Sequence, residues 1–349
     1  MTVRREMLFA VLLGLVVALI VYAASQTVLY WPFLNIQNKI DDSKFFIRAR
    51  STGADSTAAD DIVIVDFDDR SLKTLGNIRS KRWPRSHLAK LIGKLQNDGA
   101  RLIFLDVIFQ DRTRDNIELA DSTRNAGRIV AGYYFRLDSI SRKRRPLDAV
   151  YNEGLTRRLL KSGTVEHNQF VMAKGIELPY YDFVRSVRAL GFTNYVPDPD
   201  GVLRHIPLYI AYGGKGQVVS PSASLQMWMH LNDIHYSEAR ISPRGIRFGE
   251  KFIPTDKHCF MRLNFPSPET EYHYVSFVDV LAGRFEPGAF TDKIVMIGSS
   301  SEKIGDLIRV PGGRIMPGVE IHAIALSTIL NGRFLTVVPG DVVLAACAL

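Results

Sequence analysis

The apolar residues of this chain gather into blocks, and the period of each block predicts an element. The first block, Met7 to Ala24, carries no charge. Its length is close to the ~20 mostly apolar residues that a membrane-spanning helix needs. Val28 and Leu29 extend it, Tyr30 and Trp31 suit a membrane–water interface, and Pro32 stops or bends the helix. A cleaved signal peptide would have a shorter core of ~7–15 residues and a clear small-x-small cleavage site. Only Val21/Ala23 and Ala23/Ser25 approach such a site, so residues 7–29 are expected to form an uncleaved membrane helix. Arg4 and Arg5 precede it and hold the N-terminus in the cytoplasm, so the chain beyond Tyr30 is exported. At the other end, Val342 to Leu349 is apolar and too short to cross a bilayer. Pro339, Gly340 and Asp341 form a turn before it, with Asp341 at the N-cap position. Residues 339–349 are therefore expected to begin a second, truncated transmembrane helix. The alternative is a short hydrophobic tail packed on the domain.

Between the two ends lies an expected extracytoplasmic domain, residues 30–336. Leu34, Ile40, Phe46 and Ile47 form a loose helical stripe that would extend the membrane helix as a stalk. Residues 51–60 form a polar loop. Ile62 to Phe67 is a continuous β-branched run, the pattern of a strand buried on both faces. Pro84 fits a first helical turn. Leu88, Leu91, Ile92 and Leu95 follow at helical spacing, and Gly99 fits the position past the helix end. Arg101 to Phe109 and Arg128 to Phe135 read as strands, with a short helix at Asn116 to Asn125 between them. Strand and helix alternating at this spacing predict an α/β fold with a mostly parallel twisted sheet flanked by helices. Gly191 to Tyr212 reads as a hairpin turning at Pro197 to Gly201. Pro221 to Leu231 is an expected helix. Ile246 to Phe248, Lys251 to Pro254 and Cys259 to Asn264 are expected short strands. A helical turn capped by Ser276, a buried strand at Lys293 to Gly298, and a helix from Gly318 to Leu330 complete the reading.

Composition narrows the class. With 46% hydrophobic and 23% charged residues, 19 Phe and 13 Tyr, the chain is not disordered. Two cysteines exclude a disulfide scaffold and a Cys-rich zinc site. The net charge of +8 belongs to the exported part, because the ends contain only Arg4, Arg5, Glu6 and Asp341. It fits attraction to an anionic bilayer and solubility, and nucleic acid is a poor partner for an exported domain. The run Arg142 to Arg145 reads as a solvated loop or as a patch for anions or lipid headgroups.

Candidate chemistry follows from the sheet. Ligands of open parallel sheets bind outside the carboxyl ends of the strands. Three such ends are polar. The first strand ends in Asp66, Asp68 and Asp69. The second contains Asp106, with Gln110 and Asp111 beyond. The last runs into Ser299, Ser300 and Ser301, with Gly305-Asp306 in the following loop. These carboxylates would either hold a divalent cation through oxygen ligands or cap helices and tie loops together. Glu320 and His322, two apart on a helix, do not face the same way and make no metal pair by themselves. Asp66-Phe67-Asp68 is similar to the nucleophile motif of haloacid-dehalogenase-type phosphatases, but Arg70 stands where that motif wants Thr or Val. An exported metal-dependent phosphate-ester hydrolase using Asp66 or Asp68 is the alternative function. No Gly-x-Ser-x-Gly, His-Glu-x-x-His or Walker loop is present, and no catalytic residue is nominated.

Several separated motifs together resemble one family. DFDDRSLKTLG and WPRSHLAKLIGKLQNDGARLIFLDVIF look like the opening of a type-two CHASE domain (cyclase/histidine-kinase-associated sensory extracellular domain). PDPDGVLRHIPL with SPSASLQMW resembles its middle. KIVMIGSSSEKIGDLIRVPGGRIMPGVEIHAIALSTILNG resembles its end. The similarity spans roughly Ile36 to Val338. It implies the periplasmic sensory domain of a bacterial inner-membrane receptor that recognises an unknown extracellular ligand. Such domains precede a cytoplasmic adenylate or diguanylate cyclase, a histidine kinase or a Ser/Thr kinase, and the resemblance implies a homodimer. The family's pattern assigns no binding residue here. Asp66, Asp68, Asp69, Asp106, Ser299, Ser300 and Asp306 are nominated as ligand-binding residues from their place at strand ends.

Overall fold

The computed structural model describes residues 2–25, 36, 38–43, 60–75, 85–109, 115–137, 160–161, 170–212, 218–266, 272–303 and 306–336. The residues nominated at 30–32, 44–50, 83–84, 110–111, 142–145, 305 and 339–349 lie outside this description. The chain divides into two units, Met1–Gly53 and Ala54–Leu349. The first contains helix α1, Thr2–Ser25, and helical residues 38–43. Among the described residues, no helix is long and apolar enough to cross a membrane.

The second unit is built on a mostly parallel sheet. Its strands are β1 (Ile62–Asp66), β2 (Leu102–Leu105), β3 (Ile129–Arg136), β4 (Gly175–Glu177), β5 (Ala189–Phe192), β6 (His273–Ser276) and β7 (Ile294–Gly298). They lie in the order β6–β1–β7–β2–β3. β3 pairs beyond that with β5 in parallel and with β4 antiparallel. The apolar runs of β1, β2 and β7 are completely buried, as expected for strands covered on both faces.

The register aligns side chains in rows across the sheet. Val65, Ile297, Leu105 and Ala131 are successive partners. They join a core with Leu88, Leu91, Ile92 and Leu95 of α3 (Arg85–Asn97). α2 (Asp69–Leu75) precedes α3, and α4 (Asn116–Ala126) and α5 (Tyr181–Ser186) come after it. The apolar spacing read at 88–95 is thus the buried stripe of α3, and Gly99 after it has a positive φ of 90°. The opposite row is Ile64, Met296, Phe104 and Val130. α6 (Ala223–Leu231) and α8 (Gly318–Asn331) cover the other face, and α7 (Phe277–Ala282) lies between them in sequence.

Two expectations need correction. Residues 191–212 do not form a hairpin. The turn is real, with the Gly201 N–H on the Asp198 carbonyl at 2.8 Å. Its flanks go elsewhere: Gly191 and Phe192 belong to β5, His205–Pro207 pairs with Phe260–Arg262, and Tyr209–Tyr212 pairs with Val218–Pro221. Alternation cannot distinguish a neighbour in sequence from a neighbour in space. Ser276 stands at the N-cap of α7, but its side chain makes no capping bond. Its Oγ lies 3.3 Å from Ser71 Oγ instead, and Ser71 Oγ accepts the Val278 N–H at 3.3 Å.

Candidate functional site

The strand ends bring the nominated residues to one edge, where they divide into two groups. Asp66 and Gly298 are register partners. Asp106 is next in the chain to Leu105, the partner of Ile297, and its N–H bonds the Ile297 carbonyl at 2.9 Å. Side chains alternate along a strand. Asp66 and Asp106 therefore share the face of Ile64, Met296 and Phe104, on either side of Gly298. That glycine is required, because a Cβ there would meet Val319 Cβ of α8 at 2.5 Å. The start of α8 is thus laid over the sheet between two carboxylates.

The first group is closed on itself. Asp66 is buried and accepts the Ser300 N–H at 2.8 Å and its hydroxyl at 2.5 Å. Burial raises the Asp66 carboxyl above its ordinary range, against the pull of the Ser300 bonds. Ser299 donates to the Phe67 carbonyl at 2.8 Å, and Ser301 donates to Asp69 at 2.6 Å. The Ser301 hydroxyl, aided by Lys303, holds the exposed Asp69 carboxyl below its ordinary range. Asp68 accepts the Ser71 N–H at 2.7 Å in the first turn of α2. These bonds stitch the loops after β1 and β7 together. Arg70, the residue that departs from the phosphatase motif, pairs with Asp279 of α7.

The second group is open. Asp106 keeps a partly exposed edge, and among the described residues its carboxylate accepts no hydrogen bond. Burial, and then the Asp306 charge, push it up to about 7. Asp306 is exposed, and its backbone carbonyl takes the first N–H of α8, from Gly318, at 2.9 Å. Tyr195, in the segment after β5, donates its hydroxyl to the Gly318 carbonyl at 2.7 Å. Burial, then the Asp106 and Asp306 charges, hold that phenol well above its ordinary value. His322 of α8 is fully buried, with ring centroids 5.2 Å from Tyr195 and 5.5 Å from Phe104. Burial pushes the imidazole down to about 3, so it is neutral. Glu320 points elsewhere and accepts the Tyr274 hydroxyl at 2.9 Å.

Strand-end reasoning does not find Tyr195, and it considers His322 only as a metal partner of Glu320 and does not nominate it. His322 does carry a signal: it lies three and seven residues before Ala325 and Ile329, inside the apolar stripe of α8. Among the described residues, no group of three or more His, Cys, Asp or Glu side chains is placed to hold a metal ion.

A separate polar cluster fixes the 197–204 turn. Arg204, only 1% exposed, donates to Asp198 and to both oxygens of Asp200 at 2.9–3.0 Å. Burial raises the Asp198 carboxyl, but the bonds from His205 and Arg204 outweigh it and leave it below its ordinary range.

A family model for the CHASE2 domain matches residues 13–349. The chain belongs to the CHASE2 domain family. CHASE2 domains are extracytoplasmic and sensory rather than catalytic. No curated protein and no solved structure matches the chain. In this CHASE2 domain the matched segment takes in every strand of the sheet and both groups at its carboxyl edge.

Proposed function

We propose that the chain is the extracytoplasmic sensory part of a bacterial transmembrane receptor, which relays a stimulus to a cytoplasmic cyclase or kinase. The CHASE2 match over nearly the whole chain carries this reading. A stimulus acts by favouring one of two arrangements, and only by as much as its affinity differs between them. The carboxyl edge of the sheet is the proposed ligand site, with Asp106 and Asp306 its open part, and the receptor works as a homodimer.

α1 is proposed as the inner-membrane anchor, with the N-terminus cytoplasmic. In support, the sequence from Met7 to Ala24 is uncharged. Phe9, Val11, Leu12, Leu15, Leu19 and Ile20 are also exposed on α1, as lipid-facing residues would be.

Membrane fractionation with protease treatment of spheroplasts tests the placement. The reading expects the chain in the membrane fraction and cut from outside. A soluble chain, or one protected from the protease, would overturn it. Reading the gene beyond codon 349 tests the output: a continuing frame encoding a cyclase or kinase is expected, and an immediate stop codon would refute it.

A further inference from the structure

Three strands that follow α6, Arg240–Ser242, Gly245–Phe248 and Lys251–Pro254, form a small antiparallel sheet with two unlike faces. Ile241, Ile246 and Ile253 are register partners on the inner face, and the last two are buried. Phe248 and Lys251 pair on that same face and both reach Trp228 of α6, the Phe248 ring and the Lys251 ammonium each 5.3 Å from its ring centre. The outer face sets Arg240, Arg247 and Phe252 in one exposed row. The Phe252 ring lies over Gly245, where a Cβ would come within 2.6 Å of it, and the Arg247 guanidinium stands 5.1 Å from the ring centre. Arg244, exposed in the turn between the first two strands, adds a third cation. Like charges directly opposite one another across a ladder are unfavourable. Arg240 and Arg247 are such a pair, and among the described residues no carboxylate lies within ion-pairing reach of either, or of Arg244. Arg240 donates to the Ser237 and Ala239 carbonyls at 3.1 and 3.3 Å. Two nearby acids are used elsewhere: Glu238 accepts the His235 N–H, and Asp256 accepts those of His258 and Phe260. Glu250, in the turn at one end of the sheet, is exposed.

The place of this sheet in the fold narrows its partner. The chain enters β1 at Asp60 and Asp61, where Lys293, at the start of β7, donates to the Asp60 carbonyl at 2.8 Å. That is the amino edge of the parallel strands. α8 starts against Gly298 at the carboxyl edge and runs back, so the chain also leaves at the amino edge, after Gly332. α6 runs the same way. Its Ala223 packs on Gly191 of β5, while His230 near its end feels the charges of Arg188 and Arg128, which precede β5 and β3. Lys251 bonds Asn232, just past the end of α6. The Arg240–Arg247–Phe252 row is next to the Lys251 row and so lies at the end of the domain where the chain enters and leaves. Thr336 is six residues from Val342, a reach of at most about 20 Å. If Val342 begins a membrane helix, this end is tethered close to a bilayer. Unpaired arginines around an exposed ring suit such a surface, because the cations meet phosphates and the ring enters the interface. A second copy of the chain fits poorly, since a two-fold contact would set arginines on arginines.

We propose that Arg240, Arg244, Arg247 and Phe252 form a docking surface for the anionic phospholipid headgroups of the bilayer that anchors the chain. The inference rests on the membrane-anchor reading given above, and it adds a direct contact between the sensory domain and the lipid surface.

The test reconstitutes the full chain into nanodiscs of phosphatidylcholine alone or mixed with phosphatidylglycerol. Phenylglyoxal labels accessible guanidinium groups, and mass spectrometry follows each arginine. Arg244 and Arg247 should label about fivefold or more slowly in the anionic discs, the effect of one basic residue held near such a surface. About 1 M sodium chloride, where the Debye length is about 3 Å, should restore the faster rate. Arg309, exposed in the strand before α8 at the carboxyl edge, should label alike in both discs and reports an intact fold. Arg247→Gln should reduce the protection of Arg244, and Arg247→Glu should reduce it further. Equal labelling of Arg244 and Arg247 in the two kinds of disc would overturn the proposal and leave the anchor reading standing, as would protection unchanged by Arg247→Glu. Protection reproduced in phosphatidylcholine discs by soluble glycerol phosphate would assign the face to a free anion and overturn the bilayer contact. A chain that enters neither kind of disc would refute the anchor reading and this surface together.

Discussion

Replacing Asp106 by Asn should make the domain more stable at neutral pH, with a gain that depends on pH in one direction. In the fold the Asp106 carboxyl titrates at about 7, against an ordinary value of 3.8. The fold therefore holds this proton more tightly than the unfolded chain does. The associated stability is complete below about pH 4 and is lost as pH rises toward 7. A shift of roughly three units corresponds to about 4 kcal/mol. That is a ceiling, because one edge of Asp106 reaches solvent, and about 2–4 kcal/mol is expected. Asn has nearly the shape of the protonated acid and carries no charge at any pH. The gap between the two proteins should thus be small at pH 4 and reach its full size by pH 8. Urea unfolding of both proteins across that range measures it, and titrating groups that do not interact with Asp106 cancel in the comparison. A gap that does not change with pH, or one that favours the wild type at pH 8, would show that Asp106 is not held against ionisation as described.

Three further predictions concern other parts of the molecule. Arg204→Ala leaves Asp198 and Asp200 without their buried cation and should destabilise by about 3–5 kcal/mol in the same unfolding assay. Arg204→Lys should recover only part of this, since Lys cannot reproduce the fork that grips both carboxylates. Gly191→Ala would bring a Cβ within 2.4 Å of Ala223 Cα. Because that neighbour is backbone, α6 must move off β5, and a loss at the upper end of about 1–3 kcal/mol is expected, read as a lower urea midpoint. Cys259 is buried and its thiol is pushed up to about 12 by that burial, then by Asp256. It should resist an aromatic disulfide reagent at pH 8 until the chain is unfolded, and rapid labelling of the native protein would contradict this burial.

The central strands were legible because burial on both faces forces continuous apolar runs, and β1, β2 and β7 have no room for anything else. The helix at 85–97 announced itself through four leucine and isoleucine positions at helical spacing. β6 escaped because it is an edge strand whose His273 and Tyr274 are exposed, so it carries no apolar run. β5 escaped because its four residues include Gly191, which is there for the close approach of α6 and weakens any strand signal. At the site, the carboxylates could be nominated because strand ends follow directly from strands. Their division into a satisfied and an unsatisfied group could not, because it depends on Ser300 and Ser301 reaching back across the sheet. Tyr195 lies in an irregular segment, and its role comes from a contact with α8, 123 residues later in the chain.

The strand order also governs how the molecule is made. β7, residues 294–298, lies between β1 at 62–66 and β2 at 102–105. Until the chain has emerged as far as Gly298, the two earliest strands have no neighbour to join them, and each presents an open hydrogen-bonding edge. Pairing across more than 190 residues is slow to form. The growing chain must therefore wait, with its most apolar strands exposed, for the strand that joins them. Chains truncated before residue 294 should accumulate as aggregates or be degraded rather than fold as smaller domains.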